Sequence, residues 1–151
     1  MRGLLSGWGL RILIIGAIVV GGLIFRDRIS GNAGDLQVGD CFDNPSTEEI
    51  SDVQHHPCSE PHTGEVIYIG NMDGSNDAYP SDDAFFSYME TNCLPAFGSY
   101  TGMDYQSSTD FDFSSYTPSQ DGWNKGDREV ACFLVRADGA PMTKSFKAAA
   151  Q

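Results

Sequence analysis

Positive charge is what this chain has least of: nine Lys and Arg stand against 21 Asp and Glu in 151 residues. Past Arg28 the imbalance sharpens to five basic residues, Lys125, Arg128, Arg136, Lys144 and Lys147, against twenty acidic ones, a formal charge near −15. Such a surface repels phosphate backbones and anionic lipids, and no basic stripe offsets it, which excludes nucleic acid as a partner. A cationic protein or a divalent ion is electrostatically compatible, and solubility outside the cell is the plainest use of the charge. Internal repeats are missing too, so a repeat architecture is out. So is an uncharged apolar run of the ~20 residues that spans a bilayer unaided.

The apolar sequence that exists is concentrated at the N-terminus. Ile12 to Phe25 is uncharged; as a helix it covers roughly 21 Å, short of the ~30 Å of bilayer hydrocarbon. Leu4, Leu5, Trp8 and Leu10 extend it across Arg11, whose guanidinium can snorkel to the inner interface while Arg26 and Arg28 reach the outer headgroups. Residues 1–29 therefore read as a cytoplasmic tip and a single-pass transmembrane anchor. The alternative is a signal peptide cut after Gly31-Asn32-Ala33, which would leave a secreted domain. Arginine counting does not orient the anchor, but the four cysteines do, because paired thiols belong in an oxidising compartment. The expected topology puts the N-terminus in the cytoplasm and the acidic domain outside. Ala17 and Gly21, four apart, read as ordinary membrane-helix small residues.

Residues 30–35 read as a Gly/Asn linker, 36–147 as one extracytoplasmic domain and 148–151 as a tail. The domain has a core of its own, yet is small enough for covalent cross-links to help. Strands are expected around Leu36–Phe42, at Glu65–Ile69, at Asp110–Phe113, at Glu129–Arg136 and near Met142–Phe146. Asn44 to Asp52 reads as polar loop. The main helix starts at Pro80-Ser81, with Asp82 and Asp83 at its positive end and Phe85, Met89, Cys93 and Phe97 recurring every four residues along one face. Pro95 should kink or end it, and Gly98 or Gly102 closes the segment. Thr117-Pro118 opens a loop or helical turn carrying Trp123.

Four cysteines allow three pairings. The placement of the elements favours Cys41 with Cys58, closing a polar loop, and Cys93 with Cys132, clipping helix to sheet, each bridge contributing on the order of 3–4 kcal/mol. His55, His56, Cys58 and His62 crowd together, but without the paired short spacings of a zinc site, so no metal and no cofactor is expected. Asp73, Ser75 and Asp77 alternate as in a calcium loop, yet Ala78 replaces the needed glycine. Ser59, His62 and Glu65 have the residue types of a catalytic triad without an elbow or oxyanion donors, so no catalytic residue is assigned. Ser59, Glu60, His62 and Glu65 are kept as a functional or structural loop, with His62 buried or edge-on and bonded to backbone or to Glu65. Tyr100, Tyr105, Tyr116 and Trp123 suit sugar stacking, but packing is the commoner use of such aromatics.

Leu36-Gln-Val-Gly-Asp-Cys-Phe-Asp43, Pro57-Cys-Ser-Glu-Pro-His-Thr-Gly-Glu-Val66, Tyr79-Pro80 before the helix with Cys93, Ala96 and Phe97, and Pro118 through Trp123, Gly126, Arg128 and Cys132 together resemble the septum formation domain family of actinobacteria. The resemblance runs from about Leu36 to Phe146. It implies an exported or membrane-tethered domain linked to division septa, with structural cysteines and a small α+β fold, and carries over no catalytic residues. The expectation is an antiparallel sheet with one main packed helix and two disulfides behind a transmembrane helix. Such a chain acts as a binding or scaffold module with protein partners in the envelope and no small-molecule substrate. An accessory subunit of a membrane complex and a wall-directed enzyme are the alternatives.

Overall fold

A computed structural model describes residues 30–44, 52–74 and 78–149. The apolar N-terminal segment, and with it the anchor and its orientation, lies outside the described residues, as do Ser75 and Asp77 of the calcium-like loop. Among the described residues no helix is long and apolar enough to cross a membrane.

The fold is α+β. Six strands, β1 (Ser30–Asn32), β2 (Cys41–Asp43), β3 (Asp52–His56), β4 (Gly64–Asn71), β5 (Phe111–Tyr116) and β6 (Glu129–Arg136), form one sheet in the order β1-β3-β2-β4-β6-β5. Every neighbouring pair is antiparallel. Five of these strands make the body of the sheet, and β1 adds a three-residue edge to β3. Of the stretch expected as a linker, Ser30–Asn32 is thus paired, and Ala33–Asp35 makes one 3-10 turn.

The two eight-residue strands, β4 and β6, lie side by side at the centre. Strand β6 alternates cleanly between two apolar clusters: Val130, Cys132 and Leu134 face helix α1 (Asp82–Thr101), while Phe133 joins Leu36, Phe42, Val53 and Val66 on the other face. Burial on both faces is why its sequence reads as a continuous apolar run. Strand β4 carries a register shift between Val66 and Tyr68. The extra residue in this bulge, Ile67, lets consecutive Ile67 and Tyr68 both pack on the helix side.

Helix α1 begins where the sequence says it should. Ser81 caps it by accepting from the Ala84 amide, and Asp82 and Asp83 occupy the first turn. Its end differs from expectation. The helix runs through Pro95 to Thr101 and closes at Gly102, whose φ of 70° is a left-handed cap conformation suited to glycine. The reason is tertiary. Pro95 lies on the exposed side, where the Thr91 carbonyl it deprives of a partner can turn to water, while Cys93, Phe97 and Tyr100 on the opposite side are all buried.

Three further expectations are corrected. Only Cys41–Asp43 of the first strand candidate is extended, because Val38 and Gly39 turn the chain first. Strand β3, with Val53 and His55 inward, was hidden by its two histidines. The last candidate, Met142–Phe146, is not a ladder; only Met142 pairs, with His62, and the rest of the segment is held by side chains. A short helix α2 (Gln120–Asn124) buries Trp123 under the Arg128 guanidinium, 3.6 Å from the ring centroid.

Candidate functional site

The polar residues singled out from the sequence meet where β4 begins. Gly64 comes first, and its lack of a side chain is required: a Cβ there would lie 2.6 Å from the buried Phe42 ring. Glu65 follows, paired with Cys41 on one side and Leu134 on the other. It is fully buried. The hydroxyls of Tyr100, at 2.7 Å, and of Ser145 both donate to Glu65 Oε1, and the Phe146 amide donates to Oε2 at 2.9 Å. A carboxylate out of water needs such donors to offset its lost hydration, and these come from the helix and from the C-terminal segment. Burial, then the hydrogen bond to Glu65, holds the Tyr100 phenol well above the usual tyrosine range.

His62 is likewise fully buried. Its backbone exchanges two hydrogen bonds with Met142, at 2.9 and 2.7 Å, fixing the C-terminal segment a second time. In the ring, Nδ1 lies 2.7 Å from the Glu60 carbonyl. A carbonyl only accepts, so Nδ1 carries a proton here, and in the neutral ring the lone pair is then on Nε2. Nε2 is buried with no hydrogen-bond partner among the described residues. One ring nitrogen of His62, Cys41 Sγ and one Glu65 oxygen lie within 4.8 Å of one another.

Both disulfides are formed, Cys41 to Cys58 and Cys93 to Cys132, with Cα separations of 5.2 and 5.8 Å. The first forms part of the wall of a small cleft of about 110 Å³ lined by Gly39, Asp40, Cys41, His55, His56, Pro57 and Cys58. Here His56 Nε2 meets Asp43 at 2.8 Å and His55 Nδ1 stands 3.8 Å from Asp40. The crowded histidines thus separate: His55 and His56 turn to aspartates beside the cleft, Cys58 is bonded to Cys41, and His62 points inward. Ser59 is exposed, whereas His62 and Glu65 are sealed, so these three do not share one surface. Glu60 takes part through its backbone carbonyl.

Sequence reasoning missed Tyr100, Ser145 and Phe146 as partners of Glu65, and Asp40 and Asp43 beside the cleft. A signal existed for the last two, since both flank Cys41 closely. The aromatics considered for sugar stacking are packing residues: Tyr105 packs against Phe97 and Phe113, Tyr116 against Phe42 and Phe133, and Trp123 and Tyr100 are buried.

A small antiparallel α+β domain with two disulfides, in which His62 and Glu65 are shut inside and bonded to the C-terminal segment, is the class of protein the structure defines. The family model described as septum formation matches residues 38–151, and the chain belongs to that family. Membership links it to septum formation and so to cell division. No curated protein and no solved structure matches it.

Proposed function

We propose that the chain is a membrane-tethered module that binds or scaffolds other proteins on the outer side of the cell membrane, at sites of septum formation. The observation that carries the reading is the use of Glu65: its oxygens accept three hydrogen bonds and it is closed to solvent, so the site's buried carboxyl group is engaged in holding the domain together. Two disulfides support an oxidising location, and the acidic exterior suits partners with basic faces.

Crosslinking in intact cells followed by identification of neighbours tests it, together with the position of a tagged full-length copy. Enrichment at septa with reproducible envelope neighbours is expected. A cytoplasmic pool with free thiols overturns the topology. Hydrolysis of purified wall fragments by the intact chain, abolished by Glu65→Gln while the fold persists, overturns the binding role in favour of an enzyme.

A further inference from the structure

We propose that the Cys41–Cys58 disulfide gates a zinc site: in the reduced chain the two thiolates, His62 Nε2 and a Glu65 carboxylate oxygen hold one Zn²⁺. Four observations meet at this place. The first is the buried Nε2 of His62, which has no hydrogen-bond partner among the described residues. An imidazole whose N–H is tied to a backbone carbonyl and whose other nitrogen faces inward is arranged as zinc-bound histidines are. The second is convergence. One ring nitrogen of His62, Cys41 Sγ and one Glu65 oxygen already lie within 4.8 Å of one another, and ligands around one tetrahedral zinc stand roughly 3.3–3.8 Å apart, so a small inward movement suffices.

The third is the fourth ligand. Cys58 Sγ is covalently bonded to Cys41 Sγ, so breaking that bond leaves a second thiolate beside the first. The fourth is the outer shell. Glu65 Oε1 takes both hydroxyl donors, while Oε2 receives the Phe146 amide and keeps a lone pair for a metal. Sulfur, imidazole and carboxylate ligands in this number suit zinc.

The gate follows from the electron count. A dithiol reductant gives two electrons and two protons to the Cys41–Cys58 bond; the S–S bond breaks, two thiols form, and the reductant closes its own disulfide. Zinc then displaces both thiol protons to solvent. In the oxidised chain both sulfurs are consumed by their mutual bond, and only His62 and Glu65 are left. One clip between β2 and the turn that begins at Pro57 is covalent, and the other is metallic, with the same residues beneath both.

The full chain, reduced with a phosphine that is then removed, tests this. Zinc binding is read by competition with a coloured chelator, and cobalt serves as an optical probe. One metal per reduced chain is expected, with tetrahedral cobalt bands and a sulfur charge-transfer band, and no such binding by the oxidised chain. Zinc should shield Cys41 and Cys58, but not Cys93 and Cys132, from alkylation mapped by mass spectrometry. His62→Ala should weaken binding by more than about 100-fold, beyond the loss typical of outer-shell changes. The alkylation map needs no variant, so it decides even if His62→Ala fails to fold. Shielding of Cys93 and Cys132 instead, equal binding by the oxidised chain, or no stoichiometric metal on the reduced one overturns the proposal.

Discussion

Tyr100, in the last turn of α1, donates its phenol to Glu65 at the start of β4 over 2.7 Å, across 35 residues of sequence. The same tyrosine's carbonyl accepts the Ala148 amide at 2.7 Å, so helix, sheet and C-terminal segment are tied together around one side chain. Glu65 is the other half of that tie, because it also receives Ser145 and Phe146.

Glu65 is therefore expected to dominate stability among the polar residues. Glu65→Ala leaves the buried Tyr100 hydroxyl and the part-buried Ser145 and Phe146 donors without their acceptor and should cost about 3 kcal/mol, whereas Glu65→Gln should cost about 1–2 and Tyr100→Phe about 1. Urea unfolding of the purified domain measures each, and the double variant Tyr100→Phe/Glu65→Gln should be less destabilised than the sum. Wild-type stability in Glu65→Ala excludes the tie.

The two disulfides should not be equivalent. The chain-entropy relation gives about 3 kcal/mol for the span of 17 residues and about 4 for that of 39. Cys93 and Cys132 are also completely buried between helix and sheet, so their replacement by Ala opens a cavity as well. Thermal unfolding of Cys93→Ala/Cys132→Ala should fall below that of Cys41→Ala/Cys58→Ala; the reverse order refutes this ranking.

At alkaline pH the fold should fail through its phenols. Burial, as the largest cause, holds Tyr88, Tyr100 and Tyr116 above the usual tyrosine range, with the hydrogen bond between Tyr88 and Tyr68 and that from Tyr100 to Glu65 adding to it. A raised folded-state pKa means the stability is fully present below the unfolded value of ~10 and is lost as pH rises beyond it. Phenolate absorbance should show fewer than six tyrosines ionising near pH ~10, the others appearing only as the chain unfolds. Ionisation of all six there, with the circular dichroism unchanged, contradicts the burial assigned to Tyr88, Tyr100 and Tyr116.

Pro95→Ala should raise stability. Proline removes a hydrogen bond inside α1 and crowds the preceding turn, and its exposed position means nothing in the core depends on it. A gain of about 1–3 kcal/mol is expected by chemical denaturation. A loss shows that the ring makes a contact the fold needs.

The Pro95 case shows how far local rules reach. Ser81, Asp82 and the four-residue spacing of Phe85, Met89, Cys93 and Phe97 made the helix legible, because capping and periodicity are properties of neighbours along the chain. Its length was not legible, since burial of Phe97 and Tyr100 past the proline depends on strands far away in sequence. Strand β6 could be read from its apolar run, but β3 could not, as half of its inward face is a histidine. At the site, His62 and Glu65 stood out by residue type, while Ser145 and the Phe146 amide carried no signal of their own.

By itself the sequence determined an acidic α+β domain with one main helix, cross-linking cysteines and a family resemblance, because charge, periodicity and residue order are local quantities. Only the tertiary structure decided that Glu65 meets Tyr100, Ser145 and Phe146, that His62 faces Cys41, and that the helix outlasts Pro95. Those outcomes depend on which distant segments exclude water together, and a buried carboxylate or imidazole takes its partners from whatever packing brings within reach.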